Sequence, residues 1–456
     1  MLRGEAEGVP YQVLGPKDGL DGSRPLVLVA HGLAGSGTVM QGLALTFAHA
    51  GFVVATWDFD GHADNPHPAS LDIRSVALQE NAESVLRTIQ KLKLADSSRM
   101  AIVGHSMGTG VALSFGQIHP ETRATVAISP IPTPVSAKLP QNLLLLAGSL
   151  EPDFVENARH LLSAAGGAGG QLEVGSARQL EVVAGVEHIS IIFAPTTHTL
   201  ALDWVNASLG VQSDARPYLD RRLLWYALAI IGTLVSAGSL IPRVQLQEAE
   251  PKTIRRRIAA LVVGALSATL VLWLIGMAGL NLNGLLGLRV GGYLMLWFFV
   301  AGAVGLAVLK PSRWVPQSAE VLSGFGIFAA LWLGIGLLGG QVWLPWVLIS
   351  ARFFLWPMAV LAVLPWCLLV GECSRVGNGW NRLLWWLIQS LMLFSALVLS
   401  VQLSPELGFL MLLLPLFPVI LLFQVLPNLV QRGSWVFAIS GALYVSWAIL
   451  AVFPLL

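Results

Sequence analysis

Charged side chains are scarce in this chain. Asp, Glu, Lys and Arg make up 12% of its 456 residues, whereas 55% are hydrophobic. Soluble domains carry about a quarter charged residues, so this composition argues against an ordinary water-soluble globule and against a disordered protein. The net charge of +1 indicates no nucleic-acid binder. Two cysteines, Cys367 and Cys373, are too few for a disulfide framework and lack the spacing of metal ligands.

Histidine is missing from the second half of the chain. The last one is His198, whereas fourteen of the sixteen tryptophans follow residue 217. Residues 1–217 carry 13 Lys and Arg against 20 Asp and Glu, and residues 218–456 carry 14 against 6. Histidine is typical of catalysis and titration, and tryptophan of membrane interfaces. We therefore expect aqueous chemistry in the first half and lipid contact in the second.

The second half is a series of apolar runs, each long enough to cross about 30 Å of hydrocarbon as a helix. Pro, Gly and Asn residues separate the runs. They predict an all-α, polytopic membrane domain over 223–456, joined by a juxtamembrane linker at 213–222 to a first domain at 1–212. We place eight spans near residues 223–241, 258–279, 290–309, 321–340, 353–371, 383–402, 407–426 and 434–455.

The predicted membrane domain offers little chemistry. Residues 258–456 contain no Asp, and their three Glu residues lie near the ends of the runs. Gln389 falls within a span, but a lone Gln is typical of contacts between helices. Pro415 and Pro418 predict a kink in the seventh span. Transporters bury ionisable groups at mid-membrane, so the pattern argues against a transporter.

Lys and Arg in the loops predict orientation, because cytoplasmic loops carry an excess of them. With eight spans, both ends of the chain lie on the same side of the membrane. That side carries five of these Lys and Arg residues, and the opposite side carries ten. The first domain is therefore expected outside the cytoplasm, in a multi-pass protein of the cell membrane. No apolar segment follows Met1 to form a signal peptide. Either the first span exports the domain or an upstream signal-anchor helix precedes it, and we favour the second. The ten are Arg243, Lys252, Arg255, Arg256, Arg257, Lys310, Arg313, Arg375, Arg382 and Arg432, and the five are Arg216, Arg221, Arg222, Arg289 and Arg352.

The first half alternates strands and helices. A helical spacing of apolar residues over 73–92 is the clearest helix. Strand-helix alternation over about 200 residues predicts an α/β fold with a doubly wound, mostly parallel sheet. Such sheets place their sites at the carboxyl ends of the strands. The predicted strands are Pro25–Ala30, Phe52–Trp57, Met100–Val103, Ala124–Ser129, Leu143–Ala147 and Leu180–Val183.

A Gly-x-Ser-x-Gly motif follows the third predicted strand. Gly104-His105-Ser106-Met107-Gly108 leads directly into a predicted helix. A strand, a sharp turn and a helix in this order expose a serine hydroxyl above the sheet, so Ser106 is the candidate nucleophile. A glycine-rich turn, His31–Gly37, follows the first predicted strand. The backbone N–H of Leu33 in this turn and the backbone N–H of Met107, directly after the serine, are the candidate oxyanion donors.

These motifs resemble the α/β-hydrolase superfamily, in its lipase, esterase and serine-aminopeptidase-like branch. The likeness is carried by His31-Gly32, the turn Asp58-Phe59-Asp60-Gly61-His62, Gly104–Gly108 and a late His188, and it covers about residues 9–208. The family's turn usually continues Gly-His-Gly-x-Ser, whereas this chain has Gly61-His62-Ala63-Asp64-Asn65. That departure leaves the shape of the loop open.

The resemblance also assigns the acid and the base. The family's acid follows the next-to-last core strand, where this chain has Glu151 in place of the commoner Asp, with Asp153 as the alternative. Its histidine follows the last core strand, where His188 stands. His198 is a second candidate base, but a position near a terminal helix favours a surface residue. The order Ser106, Glu151, His188 is the nucleophile, acid and base order of this fold.

Three functions are compatible with these residues. The first is a membrane-anchored serine esterase or lipase-like enzyme, which needs no metal or organic cofactor. Its partners would be the lipid bilayer and an ester substrate, with a lipid-linked ester as one candidate. The short connection from Ser129 to Leu143 leaves no room for a cap domain, so we expect an open pocket. The second is an acyltransferase that uses the same acyl-enzyme. The third is a non-catalytic sensor or assembly protein with a relict hydrolase domain. Whether the protein has protein partners is left open by the sequence.

Overall fold

The chain forms two compact units. The computed structural model describes residues 1–16, 19–20, 22–72, 76–213, 215–241, 252–343, 345–375, 379–429, 431 and 433–456. The first unit comprises residues 1–223 together with 341–345, and the second comprises residues 224–340 and 346–456. The expected boundary, a linker at 213–222, thus falls at the end of the first unit.

The first unit contains an eight-stranded sheet in the order β1-β2-β4-β3-β5-β6-β7-β8. Strands β3 to β8 are parallel, and β1 and β2 are antiparallel to their neighbours. The sheet is the mostly parallel one that the sequence predicts. The strands are β1 Leu2–Ala6, β2 Val9–Leu14, β3 Pro25–Ala30, β4 Val53–Trp57, β5 Asp96–His105, β6 Thr122–Ile128, β7 Leu143–Gly148 and β8 Arg178–Val183.

Helices cover both faces of this sheet. Alternate residues of a strand face opposite sides, so Leu26 and Leu28 of β3 join one hydrophobic cluster while Val27 and Val29 join another. Helices α1 and α5 pack on the side of Val27, and α2 and α3 on the side of Leu26. The α/β, doubly wound prediction is therefore confirmed. The helices are α1 Gln41–His49, α2 Val76–Lys91, α3 Met107–Ile118, α4 Pro152–Ala164 and α5 Pro195–Leu209.

The antiparallel hairpin of β1 and β2 was not predicted. All residues of β1 except Ala6 are exposed, so this edge strand lacks the apolar run by which the central strands are identified. A turn at Glu7 and Gly8, both with positive φ, joins the two strands. The predicted helix at 73–92 corresponds to α2, and its first three residues lie outside the described part of the chain.

The second unit is entirely helical. Among the residues that the structure describes, seven helices are long and apolar enough to cross a membrane, and the number of spans rises to eight if a bent pair forms one. Their bounds differ from the predicted spans by a few residues. The helices are α6 Arg222–Leu240, α7 Ile254–Met277, α8 Gly291–Leu309, α9 Ser318–Leu331, α10 Ser350–Phe353, α11 Trp356–Ser374, α12 Gly379–Leu403, α13 Phe409–Leu413, α14 Leu416–Val425 and α15 Ser434–Val452.

The seventh predicted span is the bent one. The pair Pro405–Leu413 and Leu416–Asn428 meets at an angle of 54°. Pro415 lies at the break, where it lacks the backbone N–H that would continue the helix. The expected kink is therefore found, and it is sharp enough to divide the span in two.

Several charged residues of the second unit are buried and bonded to helix ends. The guanidinium group of Arg352 donates hydrogen bonds to the carbonyl oxygens of Leu450 and Phe453, which lie at the C-terminal end of α15. Glu320 forms an ion pair with Arg313 at 2.8 Å. Carbonyl groups in the last turn of a helix have no partner within it, so Arg352 satisfies groups that would otherwise be buried alone. Of the residues used to predict orientation, Arg243 and Arg432 lie outside the described residues.

Candidate active site

The motif around Ser106 forms a tight turn between β5 and α3. Ser106 has φ +53° and ψ −120°, a strained conformation for a residue with a side chain. Its backbone N–H donates a hydrogen bond to the Ile128 carbonyl oxygen of β6 at 2.9 Å. A Cβ at Gly104 would lie 2.2 Å from the carbonyl oxygen of Gly108. Glycine at 104 is therefore a steric requirement of the turn.

Ser106, His188 and Glu151 form a continuous chain of hydrogen bonds. The Nε2 atom of His188 lies 2.9 Å from the Oγ of Ser106, and its Nδ1 lies 2.8 Å from Oε2 of Glu151. All three residues are buried, with Ser106 8% exposed. An ionised carboxylate only accepts hydrogen bonds, so Nδ1 carries the proton that faces Glu151 and Nε2 accepts from the serine. This arrangement can transfer a proton from a serine hydroxyl to an imidazole.

The two rival carboxylates have different positions. Glu151 follows β7 and precedes the first residue of α4. Asp153 lies in the first turn of the same helix, where its side chain is exposed. Of the two, Glu151 is the one that contacts His188. The catalytic roles of Ser106, His188 and Glu151 stay predictions.

The loop after β3 passes beside the serine. A Cβ at Gly32 would lie 3.0 Å from the Cβ of Ser106, and a Cβ at Gly108 would lie 2.6 Å from the carbonyl oxygens at the end of β3. This approach puts the peptide of Leu33 next to the nucleophile, while Met107 begins α3 directly after it. Within the described part of the chain, neither of these two N–H groups donates a hydrogen bond to another residue. Both N–H groups are therefore available to bind an oxyanion. Their role as oxyanion donors stays a prediction.

His105 connects the serine turn to the histidine loop. Its Nε2 lies 2.9 Å from the backbone carbonyl oxygen of His188, and the two rings are 4.9 Å apart. Burial, and next the positive potential of His188, lower the pKa of His105 to about 3. The ring is therefore neutral near pH 7 and donates its Nε2 proton to that carbonyl. The sequence did not indicate this contact between His105 and the His188 loop.

Two further residues beside the site were missed. Phe154 stacks on the imidazole of His188, with ring centroids 4.2 Å apart and an interplanar angle of 28°. The hydroxyl of Ser129 donates a hydrogen bond to Oε1 of Glu151 at 2.6 Å. Ser129 directly follows β6, at the sheet edge where sites are expected, so its position was a usable signal. Nothing in the sequence indicated Phe154.

Two other histidines, His198 and His31, make structural contacts. His198 is 3% exposed, so the expectation that it is a surface residue is wrong. Its ring bonds Thr46 of α1 and the carbonyl oxygen of Ile192, because this side of α5 packs against the unit's core. Burial lowers the pKa of His198. His31 accepts a hydrogen bond from the Phe59 N–H at 3.1 Å and so joins the loops after β3 and β4.

A metal site is not evident in the part of the chain that the structure describes. No group of three or more His, Cys, Asp or Glu side chains lies there in a position to hold a metal ion.

Comparisons with known proteins place the first unit in a family. Residues 21–215 match the family model described as serine aminopeptidase, S33. An uncharacterised protein of Mycobacterium tuberculosis is 34% identical over 100 residues, which cover 22% of this chain and 27% of that protein. Cutinase 2 of Thermobifida cellulosilytica is 29% identical over 106 residues, 23% of this chain and 38% of the cutinase. These alignments span well under half of the relatives' own lengths.

Similar solved structures are also found. A soluble variant of the monoglyceride lipase of Saccharomyces cerevisiae, crystallised with a substrate analogue, is 12% identical. It covers 46% of this chain and 95% of its own, with a TM-score of 0.35. The family match and the strand order together identify the first unit. Residues 21–215 match this family model, and the first unit has the mostly parallel sheet of an α/β-hydrolase fold.

Proposed function

We propose that this protein is a membrane-integral serine hydrolase that cleaves a carboxylic ester through an acyl-enzyme. The observation that carries the proposal is the hydrogen-bond chain from Ser106 through His188 to Glu151, with contacts of 2.9 and 2.8 Å. Nucleophile, base and acid at such distances are the arrangement that activates a serine. The curated relatives include cutinases, which adds support for an ester.

The reaction follows from this geometry. The Oγ of Ser106 attacks the carbonyl carbon while its proton moves to Nε2 of His188. The Glu151 carboxylate stabilises the resulting imidazolium and keeps Nδ1 protonated. The N–H groups of Leu33 and Met107 bind the oxyanion, which costs no reorganisation because both belong to fixed backbone. His188 then protonates the leaving alcohol, and water releases the acid from Ser106 by the same steps in reverse.

The proposed substrate is an ester presented at a membrane surface. The connection between β6 and β7, residues 129–142, contains no helix or strand, so it supplies no cap domain. The seven apolar helices suggest a membrane protein, and Phe154 offers an apolar ring beside His188. An acyltransferase would use the same acyl-enzyme, and product analysis with water and with added alcohols distinguishes the two.

Replacing the nucleophile or the base is expected to abolish activity. Ser106→Ala and His188→Ala should each lower kcat/KM by at least about 10³-fold, and to a similar degree, because the two side chains act as one unit. A fluorophosphonate probe, which labels only an activated serine, should label the wild type and not Ser106→Ala. His160→Ala is the matched control, since His160 lies on the surface of α4. An unlabelled wild type would instead favour the relict domain.

The two carboxylates should differ in their effect on rate. Glu151→Gln keeps the shape but removes the charge that faces Nδ1 of His188, and we expect kcat to fall by about 10²-fold or more. Asp153→Asn changes an exposed side chain and should alter kcat less than two-fold. Steady-state kinetics on both variants decide the matter. The opposite order would transfer the acid's role to Asp153.

Substrate presentation can be tested with an acyl-chain series. We expect kcat/KM of the full-length protein in lipid vesicles to rise from short soluble esters to long-chain esters embedded in the bilayer. Burial of each additional methylene contributes about 0.8 kcal/mol when it enters an apolar site. The control is the same series with the protein in detergent and the esters in solution. Equal or better cleavage of short soluble esters in both settings would contradict the proposal.

The proposed orientation puts the hydrolase unit outside the cytoplasm. It is supported by the ten Lys and Arg residues on one side of the predicted spans against five on the other. A reporter that is active only in the cytoplasm, fused after Leu456, should therefore be silent. The same reporter inserted after Lys310, on the opposite side, should be active. The reverse pattern would place the hydrolase unit in the cytoplasm.

A further inference from the structure

Ser129 is the first residue after β6, and it is completely buried. Its φ is +51°, a left-handed conformation that favours glycine. Its backbone N–H donates a hydrogen bond to the carbonyl oxygen of Leu146 in β7 at 2.7 Å. Ser129 is thus held at the carboxyl end of the sheet, between the strand that precedes it and the strand that leads to Glu151.

The two carboxylate oxygens of Glu151 have different partners. Oε1 accepts one hydrogen bond from the Ser129 hydroxyl at 2.6 Å and another from the Gly148 N–H at 2.5 Å. Oε2 faces Nδ1 of His188 at 2.8 Å. Two donors on Oε1 fix the rotation of the carboxylate so that Oε2 points at the histidine. The Glu side chain has one more rotatable bond than the Asp side chain, so it loses more conformational entropy when it is held in one orientation.

We propose that Ser129 is a positioning residue for the acid of the triad. The inference rests on the proposed function, since it assigns Ser129 a role in the same site. Ser129 acts through Glu151: its hydroxyl keeps the carboxylate turned towards His188 and adds a charge-assisted hydrogen bond. A non-glycine residue in the left-handed region costs free energy. Serine at this position provides a hydroxyl group that donates to the Glu151 carboxylate, which glycine could not do.

Two substitutions remove the hydroxyl and differ in their effect on the backbone. Ser129→Ala keeps the strained φ, whereas Ser129→Gly relieves it. We expect both to lower kcat about ten-fold or more, with KM changed less than two-fold, and to slow fluorophosphonate labelling by the same factor. Ser149→Ala is the matched control, because the Ser149 hydroxyl lies on the same edge but bonds the Gly185 N–H. Its kcat should stay within two-fold of wild type.

A double-mutant cycle with Glu151→Gln separates positioning from a general structural role. If Ser129 acts through the carboxylate, Ser129→Gly should change the labelling rate less than two-fold once that charge is absent. A loss equal to that seen in the wild-type background would overturn the proposal. So would wild-type kcat in both Ser129→Ala and Ser129→Gly.

The Ser106→Ala variant, assayed alongside, tells the two possible failures apart. Full activity in Ser106→Ala would overturn the proposed function and this inference with it. An inactive Ser106→Ala together with unaffected Ser129 variants would overturn the inference alone. All variants are made in the full-length protein, and thermal unfolding of each shows whether a loss of rate accompanies a loss of fold.

Discussion

The close approach of two backbone turns determines the geometry of the site. The loop after β3 and the turn after β5 are so near that added Cβ atoms at Gly32 and Gly108 would lie 3.0 Å or less from their neighbours. At Gly108 those neighbours are backbone carbonyl oxygens, which cannot move aside as a flexible side chain can. The close approach of the main chain at Gly108 therefore helps to hold the proposed nucleophile and the two proposed oxyanion donors relative to one another. Preorganisation of this kind is what makes an oxyanion site effective.

In the helical unit, the few buried charged side chains bond to groups near helix ends. The Arg382 guanidinium donates a hydrogen bond to the Gln431 carbonyl oxygen, and Glu372 accepts from the backbone N–H and hydroxyl of Ser312. These partners lie at or beside helix ends, where backbone groups lack intrahelical partners. Charges fixed in this way stabilise helix termini and are poor candidates for a transport path, which needs ionisable groups at mid-membrane. We therefore expect the chemistry of the protein in the first unit.

The parts of the structure that the sequence predicted are those with strong local signals. Central strands are continuous apolar runs, and a glycine-flanked serine after such a run has few structural alternatives, so the sheet and Ser106 could be found. The β1 hairpin could not, because an exposed edge strand has no such pattern. The burial of His198 depends on how α5 meets α1, and the partner Thr46 is 152 residues away. The place of Ser129 after β6 was a usable signal, but its bond to Glu151 and the stacking of Phe154 on His188 join separate strands and helices, which no local pattern encodes.

The spacing of the strands explains why Ser129 and Phe154 are needed near His188. The serine follows β5 and the histidine follows β8, with β6 and β7 between them. Three intervals of about 4.8 Å put the two strand ends roughly 14 Å apart, yet Oγ and Nε2 are separated by 2.9 Å. The loop carrying His188 must therefore fold back across two strands, away from the sheet that would otherwise fix it.

That fold-back needs anchors along its length, and residues at or after the ends of β5 and β7 contact His188 directly, while a residue after β6 acts through Glu151. His105, at the end of β5, bonds the His188 backbone, and Phe154, after β7, stacks on its ring. Glu151 meets Nδ1 from β7 and is itself held by Ser129 from β6. A glutamate suits this span, because its additional methylene extends the carboxylate by about 1.5 Å relative to aspartate. The longer Glu151 side chain also has one more rotatable bond than aspartate, and the buried Ser129 hydroxyl restrains rotation about it.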